Sequence, residues 1–354
     1  DLIDFRITRA KIPIYSLDAS YMIDSKIGYI RLSRFAATTA QEFQDALNDL
    51  KKQGMKDLIL DLEYNGGGYL SASTELANQF LGTNKLIVYT EGKNQSRYSE
   101  KSNSRGQFEN GKLVILVNEG SASASEIVSG AVQDWDRGVI VGRRTFGKGL
   151  VQRPVPLMDG SMLRLTVARY YTPTGRCIQK PYTSGDKDSY NKDLIDRYNS
   201  GEMMSVDSIH FPDSLKYKTM VNARTVYGGG GIMPDFFVPL DTTLSTNYHR
   251  NLVAKGIVNK ISLGEVDINR DEYLTKYPTV KEFKSNFVIS EEMMKKLIAE
   301  GEKEKVEFNE EDYNKAKDYI ALQIKSLMAR DLYNTAAYFM IMNENNDIFL
   351  ISRI

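Results

Sequence analysis

The chain has 354 residues, more than one compact core usually takes, so two or three domains are expected. Lys plus Arg and Asp plus Glu number 46 each, and the resulting zero net charge gives no pull toward nucleic acid or an anionic membrane. Cys177 is the single cysteine, which excludes an internal disulfide, and no apolar run approaches the roughly 20 residues that span a bilayer.

The chain opens at Asp1, and Phe5-Arg6-Ile7-Thr8-Arg9 already alternates like a strand, so a larger protein is expected to precede it. Residues 4–14 and 28–32 read as strands. Thr38 or Thr39 then caps a helix in which Phe43, Ala46, Leu47 and Leu50 share one face, and Gly54 ends it. The apolar run 58–62 is a buried strand that leads into Asn65-Gly66-Gly67-Gly68 and a helix over 71–81. A strand at 86–90 precedes a polar stretch, 92–111, that reads as a mobile excursion. Leu113-Val114-Ile115-Leu116-Val117 is a buried strand, followed by the small-residue segment Gly120-Ser121-Ala122-Ser123-Ala124-Ser125-Glu126 and a helix. Strands at 139–141, 147–155 and 162–171 complete an alternation that predicts an α/β core with parallel pairing.

Residues 182–217 are polar and read as a long loop or helical insertion. A glycine run, 228–231, leads through Ile232-Met233-Pro234-Asp235 to a short strand at 236–238. From 243 to the end strand signals fade. Ser290 and Asn309 are good N-caps for helices over 291–301 and 310–329, with a third over 333–342.

The serine segment is the focus of the chemistry. It stands where a strand hands over to a helix, and small residues there leave room for a substrate backbone. A hydroxyl at a helix N-terminus also faces unpaired N–H groups that favour developing negative charge. Three serines compete, and the segment reads equally as a helix cap. A serine needs a base. The two histidines, His210 and His249, lie in contexts typical of surface or satisfied core residues, and two His with one Cys make a zinc site a poor reading. A lysine can serve if burial lowers its pKa. Lys148, between Gly147 and Gly149, is the candidate, though locally it reads as a surface turn.

Two motifs mislead. Gly142 to Lys148 fits the G-x-x-x-x-G-K phosphate loop, but Gly149 stands where a magnesium-binding Ser or Thr belongs, and Pro154 and Pro156 forbid the helix. Residues 267–278 open like a calcium loop, yet the central glycine and the final glutamate are missing, so they read as a polar turn.

The serine segment and Thr145-Phe146-Gly147-Lys148-Gly149 together resemble the C-terminal processing (tail-specific) serine peptidases. Lys148 follows Ser123 by 25 positions, which in that family's pattern makes Ser123 the nucleophile and Lys148 the base. Gln152 matches the glutamine that orients the lysine, and Asp134 matches a supporting aspartate motif that is structural or catalytic. Asp61-Leu62-Glu63-Tyr64-Asn65-Gly66-Gly67-Gly68 is similar to the family's Asp-Leu-Arg-x-Asn-Pro-Gly-Gly. The resemblance makes Gly67 or Gly68, with Ala124, the oxyanion hole. Glu63 for Arg and Gly66 for Pro are departures that predict a looser loop.

What the resemblance implies is a crotonase/ClpP-like α/β core over residues 14–242, with 182–217 inserted. The end of a PDZ domain would occupy 1–13, and 243–354 would form a mostly helical region. It implies an endopeptidase that cuts near the C-terminus of protein substrates with exposed apolar tails, uses no cofactor or metal, and works in a bacterial periplasm or cell envelope. It leaves room for a homo-oligomer or an adaptor protein. The competing readings are an idle peptide-binding scaffold on the same fold, an NTPase, and a crotonase-like acyl-CoA enzyme.

Overall fold

The computed structural model describes residues 5–10, 14–183 and 185–353. The first half of the chain alternates strands and helices: β1 (Leu17–Met22), β2 (Ile27–Leu32), α1 (Thr39–Lys52), β3 (Asp57–Asp61), α2 (Leu70–Asn78), β4 (Leu86–Gly92), β5 (Gln95–Lys101), β6 (Leu113–Val117), α3 (Ala124–Asp134), β7 (Val139–Gly142), β8 (Leu150–Pro156) and β9 (Met162–Tyr171). The second half holds α4 (Lys187–Asn199), β10 (Lys216–Lys218), β11 (Thr225–Tyr227) and β12 (Phe236–Phe237). Seven helices follow: α5 (Asn247–Ala254), α6 (Ile257–Lys276), α7 (Val280–Asn286), α8 (Glu291–Lys303), α9 (Glu310–Leu332), α10 (Thr335–Met342) and α11 (Asp347–Ile351).

A six-stranded sheet, ordered β1-β2-β3-β6-β7-β12, forms the centre, parallel throughout except for β1 at its edge. Its middle strands are covered on both faces, which is why they read as continuous apolar runs rather than alternating ones. On one face Ile30, Leu58, Leu60, Ile115 and Val117 pack with Phe43 and Leu47 of α1, Leu76 of α2 and Ile127 and Val128 of α3. On the other, Tyr29, Ile59, Leu116 and Val141 pack with Ile348 and Phe349 of α11. The remaining C-terminal helices build a core of their own around Leu252, Phe283, Leu297, Ile320 and Ile324. Ser290 and Asn309 cap α8 and α9 through their side chains. Among the described residues no helix is long and apolar enough to cross a membrane.

Several expectations need correction. Residues 5–10 form no strand; Asp4 and residues 11–13 of that expected strand lie outside the described residues, and the first strand is β1. The polar excursion contains β5, antiparallel to β4. It pairs into a second sheet, β5-β4-β9-β8, that is wholly antiparallel, so β8 and β9 do not extend the parallel core. Residues 182–217, by contrast, contain α4, in line with the helical of the two readings given for them. The calcium-like stretch lies largely in α6, where Asn269 departs from helical geometry, rather than in a turn.

Phe349 meets Tyr29 edge-to-face at 5.5 Å and ties the chain's end to the sheet. Phe349→Ala is expected to destabilise the protein by about 3–5 kcal/mol in urea unfolding. A change under about 1 kcal/mol would show that α11 does not seal this face.

Candidate active site

β6 ends at Val117 in the middle of the sheet, and the chain turns through Asn118–Ala122 into α3. Ser123 is the N-cap of α3 and holds φ +56°, ψ −108°. A residue with a side chain pays of order 1–3 kcal/mol for such a conformation, and it persists only where its surroundings enforce it. The three serines separate by their bonds. Ser121 Oγ donates to Leu62 O (2.7 Å) and accepts from Asn118 N (3.0 Å), while Ser125 Oγ donates to Asn65 O (2.9 Å). Both are wholly buried, whereas Ser123 is partly exposed.

Glu126 joins this turn to the lysine segment. It sits three residues into α3, so its carboxylate folds back on the helix start and accepts from Ser123 N at 2.7 Å. The same oxygen, Oε2, accepts from Lys148 N at 2.9 Å. The other, Oε1, accepts from Thr145 Oγ1 (2.6 Å) and Gly147 N (2.7 Å). A direct backbone bond, Phe146 N to Ser121 O at 2.9 Å, reinforces the link. Burial pushes the Glu126 carboxyl up from its usual range, and the four donors work against that rise. Ser123 and Lys148 therefore share one carboxylate oxygen through their main chains. Among the described residues no hydrogen bond joins Lys148 Nζ to Ser123 Oγ.

The glycine loop is held against the same turn. Asn65 accepts Ala122 N and Ser125 Oγ on its carbonyl, and its side chain takes Gly67 N at 2.9 Å and donates to Leu32 O. Gly67, at φ +94°, lies so close that a Cβ there would meet Ser123 Cβ at 2.8 Å and Ala124 N at 2.9 Å. With Gly67 N–H spent on Asn65, Gly68 and Ala124 are the residues of this set whose N–H groups donate to no described residue. The departure at Glu63 also resolves. Asp61 takes the Arg31 guanidinium and the Tyr29 hydroxyl, so the cation beside it comes from β2 rather than from the loop. Glu63 is buried and accepts from Asn346 Nδ2 at 2.7 Å, which fastens the loop to the C-terminal helices and sets its register.

The other expected residues lie apart. Gln152 is solvent-exposed on β8, and no bond joins its side chain to Lys148 among the described residues; the buried Gln179 instead accepts Gly149 N at 2.9 Å. Asp134 is at the far end of α3, about 16 Å from Ser123 by the helical rise. There it binds Arg176 and caps Thr174, a structural anchor. His210 is exposed, and His249 is buried against Gln323 at 2.9 Å. The phosphate-loop glycines have other work. A Cβ on Gly142 would lie 1.9 Å from Val117 O, and the segment after it runs into β8 instead of a helix, so the NTPase reading fails. Glu126, Thr145, Asn65 and Gln179 carried no assigned role in the sequence reading, although Ser123-x-x-Glu126 is itself a capping-box signature.

Residues 26–188 match the model of peptidase family S41. This part of the chain is an S41 peptidase domain. Residues 248–334 match a family of unknown function (DUF8443). The C-terminal processing peptidase of the Tetradesmus obliquus chloroplast is 43% identical over 46% of this chain and 34% of its own length. The carboxyl-terminal-processing protease of Synechocystis sp. (strain ATCC 27184 / PCC 6803 / Kazusa) is 41% identical over 50% of this chain and 42% of its own. A probable CtpA-like serine protease of Staphylococcus aureus (strain N315) is 37% identical over 53% and 38%. The chain thus spans well under half the length of these relatives. A solved photosystem II D1 C-terminal processing protease matches at 30% identity over 67% of this chain and 52% of that one, with a TM-score of 0.45.

Burial, and then the Asp61 carboxylate, push Glu63 up to about 8, against the pull of Asn346 and Arg31. A carboxyl raised on folding binds its proton more tightly folded than unfolded. Its contribution is therefore fully present below the unfolded value of about 4.3 and is lost as pH rises toward 8. Urea unfolding should show stability falling between pH 5 and 8, and Glu63→Gln should flatten that fall. An unchanged slope in the variant would contradict the assignment.

Proposed function

We propose that the chain is a serine endopeptidase of the C-terminal processing type, acting through Ser123 and Lys148. The observation that carries this reading is the single Glu126 oxygen bonded to the main chains of both residues. In the proposed step the uncharged Lys148 amine takes the Ser123 proton as Oγ attacks the peptide carbonyl. The acyl-enzyme forms, the amine returns the proton to the leaving nitrogen, and water then releases the acyl product. The N–H groups of Gly68 and Ala124, with Gly67 shaping the loop between them, receive the oxyanion, an interaction worth about 3 kcal/mol per donor. Gln152, four residues beyond Lys148 on β8, would turn to the amine only with substrate in place, since hydrogen bonds of this kind often tighten in the bound complex.

The relatives' names say that they process C-termini; the substrates proposed for this chain are protein C-termini whose apolar, unfolded tails lie along the site as an added strand. We assign the peptidase unit to 14–242 and a helical unit to 243–354. A PDZ exit over 1–13 and a bacterial periplasmic or envelope location rest on the resemblance alone. The missing Nζ–Oγ bond favours a second reading, an idle scaffold on the same fold.

Cleavage of casein or another unfolded protein separates the two. Wild type should cut, and Ser123→Ala or Lys148→Ala should each lower the rate by on the order of 1,000-fold or more with melting temperature unchanged. Full activity in either variant would reject the dyad. An inert wild type would leave the scaffold reading.

A further inference from the structure

The segment that carries Lys148 is neither helix nor strand, so something other than a ladder must hold it. Many of its main-chain groups bond to other parts of the chain. Thr145 N donates to Ile232 O (3.1 Å), Phe146 N to Ser121 O and Gly147 N to Glu126, while Gly147 O accepts Lys180 N at 2.9 Å. Two further carbonyls, Arg144 O and Thr145 O, are taken by one side chain. Arg197 donates from NH2 to Arg144 O at 2.7 Å and from NH1 to Thr145 O at 3.1 Å.

Arg197 belongs to α4, in the polar insertion that lies mostly beyond the matched peptidase segment. It is the one buried residue among the described residues of that helix. Its third arm, Nε, pairs with Glu202 Oε1 at 2.7 Å, and Glu202 also clamps the Arg144 guanidinium. Arg144 in turn reaches Gly230 O at 2.7 Å. A buried arginine of this kind gives little net stability over an apolar replacement, because desolvation offsets the pairing. What it does supply is direction: a planar fork that fixes two carbonyls at once. A second grip lies alongside, where Lys180 Nζ binds Asp193 at 2.9 Å and Tyr190 O at 3.2 Å and stands 4.1 Å over the Phe146 ring.

We propose that Arg197 is a positioning residue for the reaction, holding the Lys148 segment from outside while Glu126 holds it from within. This rests on the Ser123–Lys148 reading. The inserted helix α4 is then a working part of the peptidase: it sets where the Lys148 amine can stand relative to Ser123. Losing Arg197 frees the carbonyls three and four residues before Lys148, and a displacement of about 1 Å at a reacting group can cost on the order of 100-fold in rate.

The test measures kcat and KM on one unfolded peptide substrate, with melting temperature, for Arg197→Ala, Arg197→Lys, Ser123→Ala, Lys148→Ala and, as a control on the exposed side of α4, Asp196→Asn. Arg197→Ala should lower kcat by on the order of 100-fold with KM within about twofold. Guanidinium added at non-denaturing concentration should restore part of that loss. Arg197→Lys, which can reach the carbonyls but not fork to Glu202 as well, should fall between the two, and Asp196→Asn should match wild type. If Arg197→Ala does not fold, Arg197→Lys decides: a reduced kcat in a folded protein supports the proposal, and a wild-type kcat overturns it. Wild-type kcat in folded Arg197→Ala, with Ser123→Ala and Lys148→Ala inactive, overturns the role of Arg197 alone. An active Ser123→Ala would instead remove the dyad on which it rests.

Discussion

A single buried carboxylate organises the candidate site. Glu126 has been taken wholly out of water, which disfavours its charge, and four donors converge on it in return. Those donors come from two stretches of chain, the Ser123 turn and residues 145–148. Neither stretch has regular structure to hold it. Thr145 extends the network, since its hydroxyl also accepts Ile232 N at 2.7 Å and so draws the glycine-rich 228–235 segment into the same knot. The relation between Ser123 and Lys148 is therefore set by main-chain bonds to one side chain, and only the final reach of the lysine amine is left to its own rotamers.

Around that knot the sheet acts as a rigid frame. Ser123 follows β6, the glycine loop follows β3 and the lysine segment follows β7, so all three leave the carboxyl ends of neighbouring parallel strands. Open α/β sheets commonly bind ligands along that edge. The helical region closes the opposite face through Phe349 and reaches the edge itself through Asn346 and Glu63. It is thus joined to the loop that would carry the oxyanion donor, although its own sequence family has no assigned function.

Much of this was legible where the signal is local. The unbroken apolar runs at 58–62 and 113–117 announce strands covered on both faces, and the caps at Ser290 and Asn309 stand where side-chain capping requires. The choice of Ser123 over its neighbours came from the family resemblance, through the 25-position spacing to Lys148; in the structure the Ser121 and Ser125 hydroxyls donate to Leu62 O and Asn65 O. What stayed hidden depends on contacts far apart in the chain. β5 is polar and exposed because it is an edge strand held only by its pairing with β4, so no hydrophobic pattern marks it. The partners of Glu63 and of the Arg144 and Thr145 carbonyls lie at Asn346 and Arg197, and no window of sequence brings them together. Residues 267–278 misled because liganding residue types at calcium-loop spacing also suit an exposed helix face.

The most direct test of the account is a crystal structure of the wild-type protein with a peptide boronate, which mimics the tetrahedral intermediate. The account predicts boron bonded to Ser123 Oγ, Lys148 Nζ within hydrogen-bond reach of that oxygen, and one boronate oxygen between the N–H groups of Gly68 and Ala124. Boron on another hydroxyl, or a Lys148 amine turned away from a modified Ser123, would contradict it.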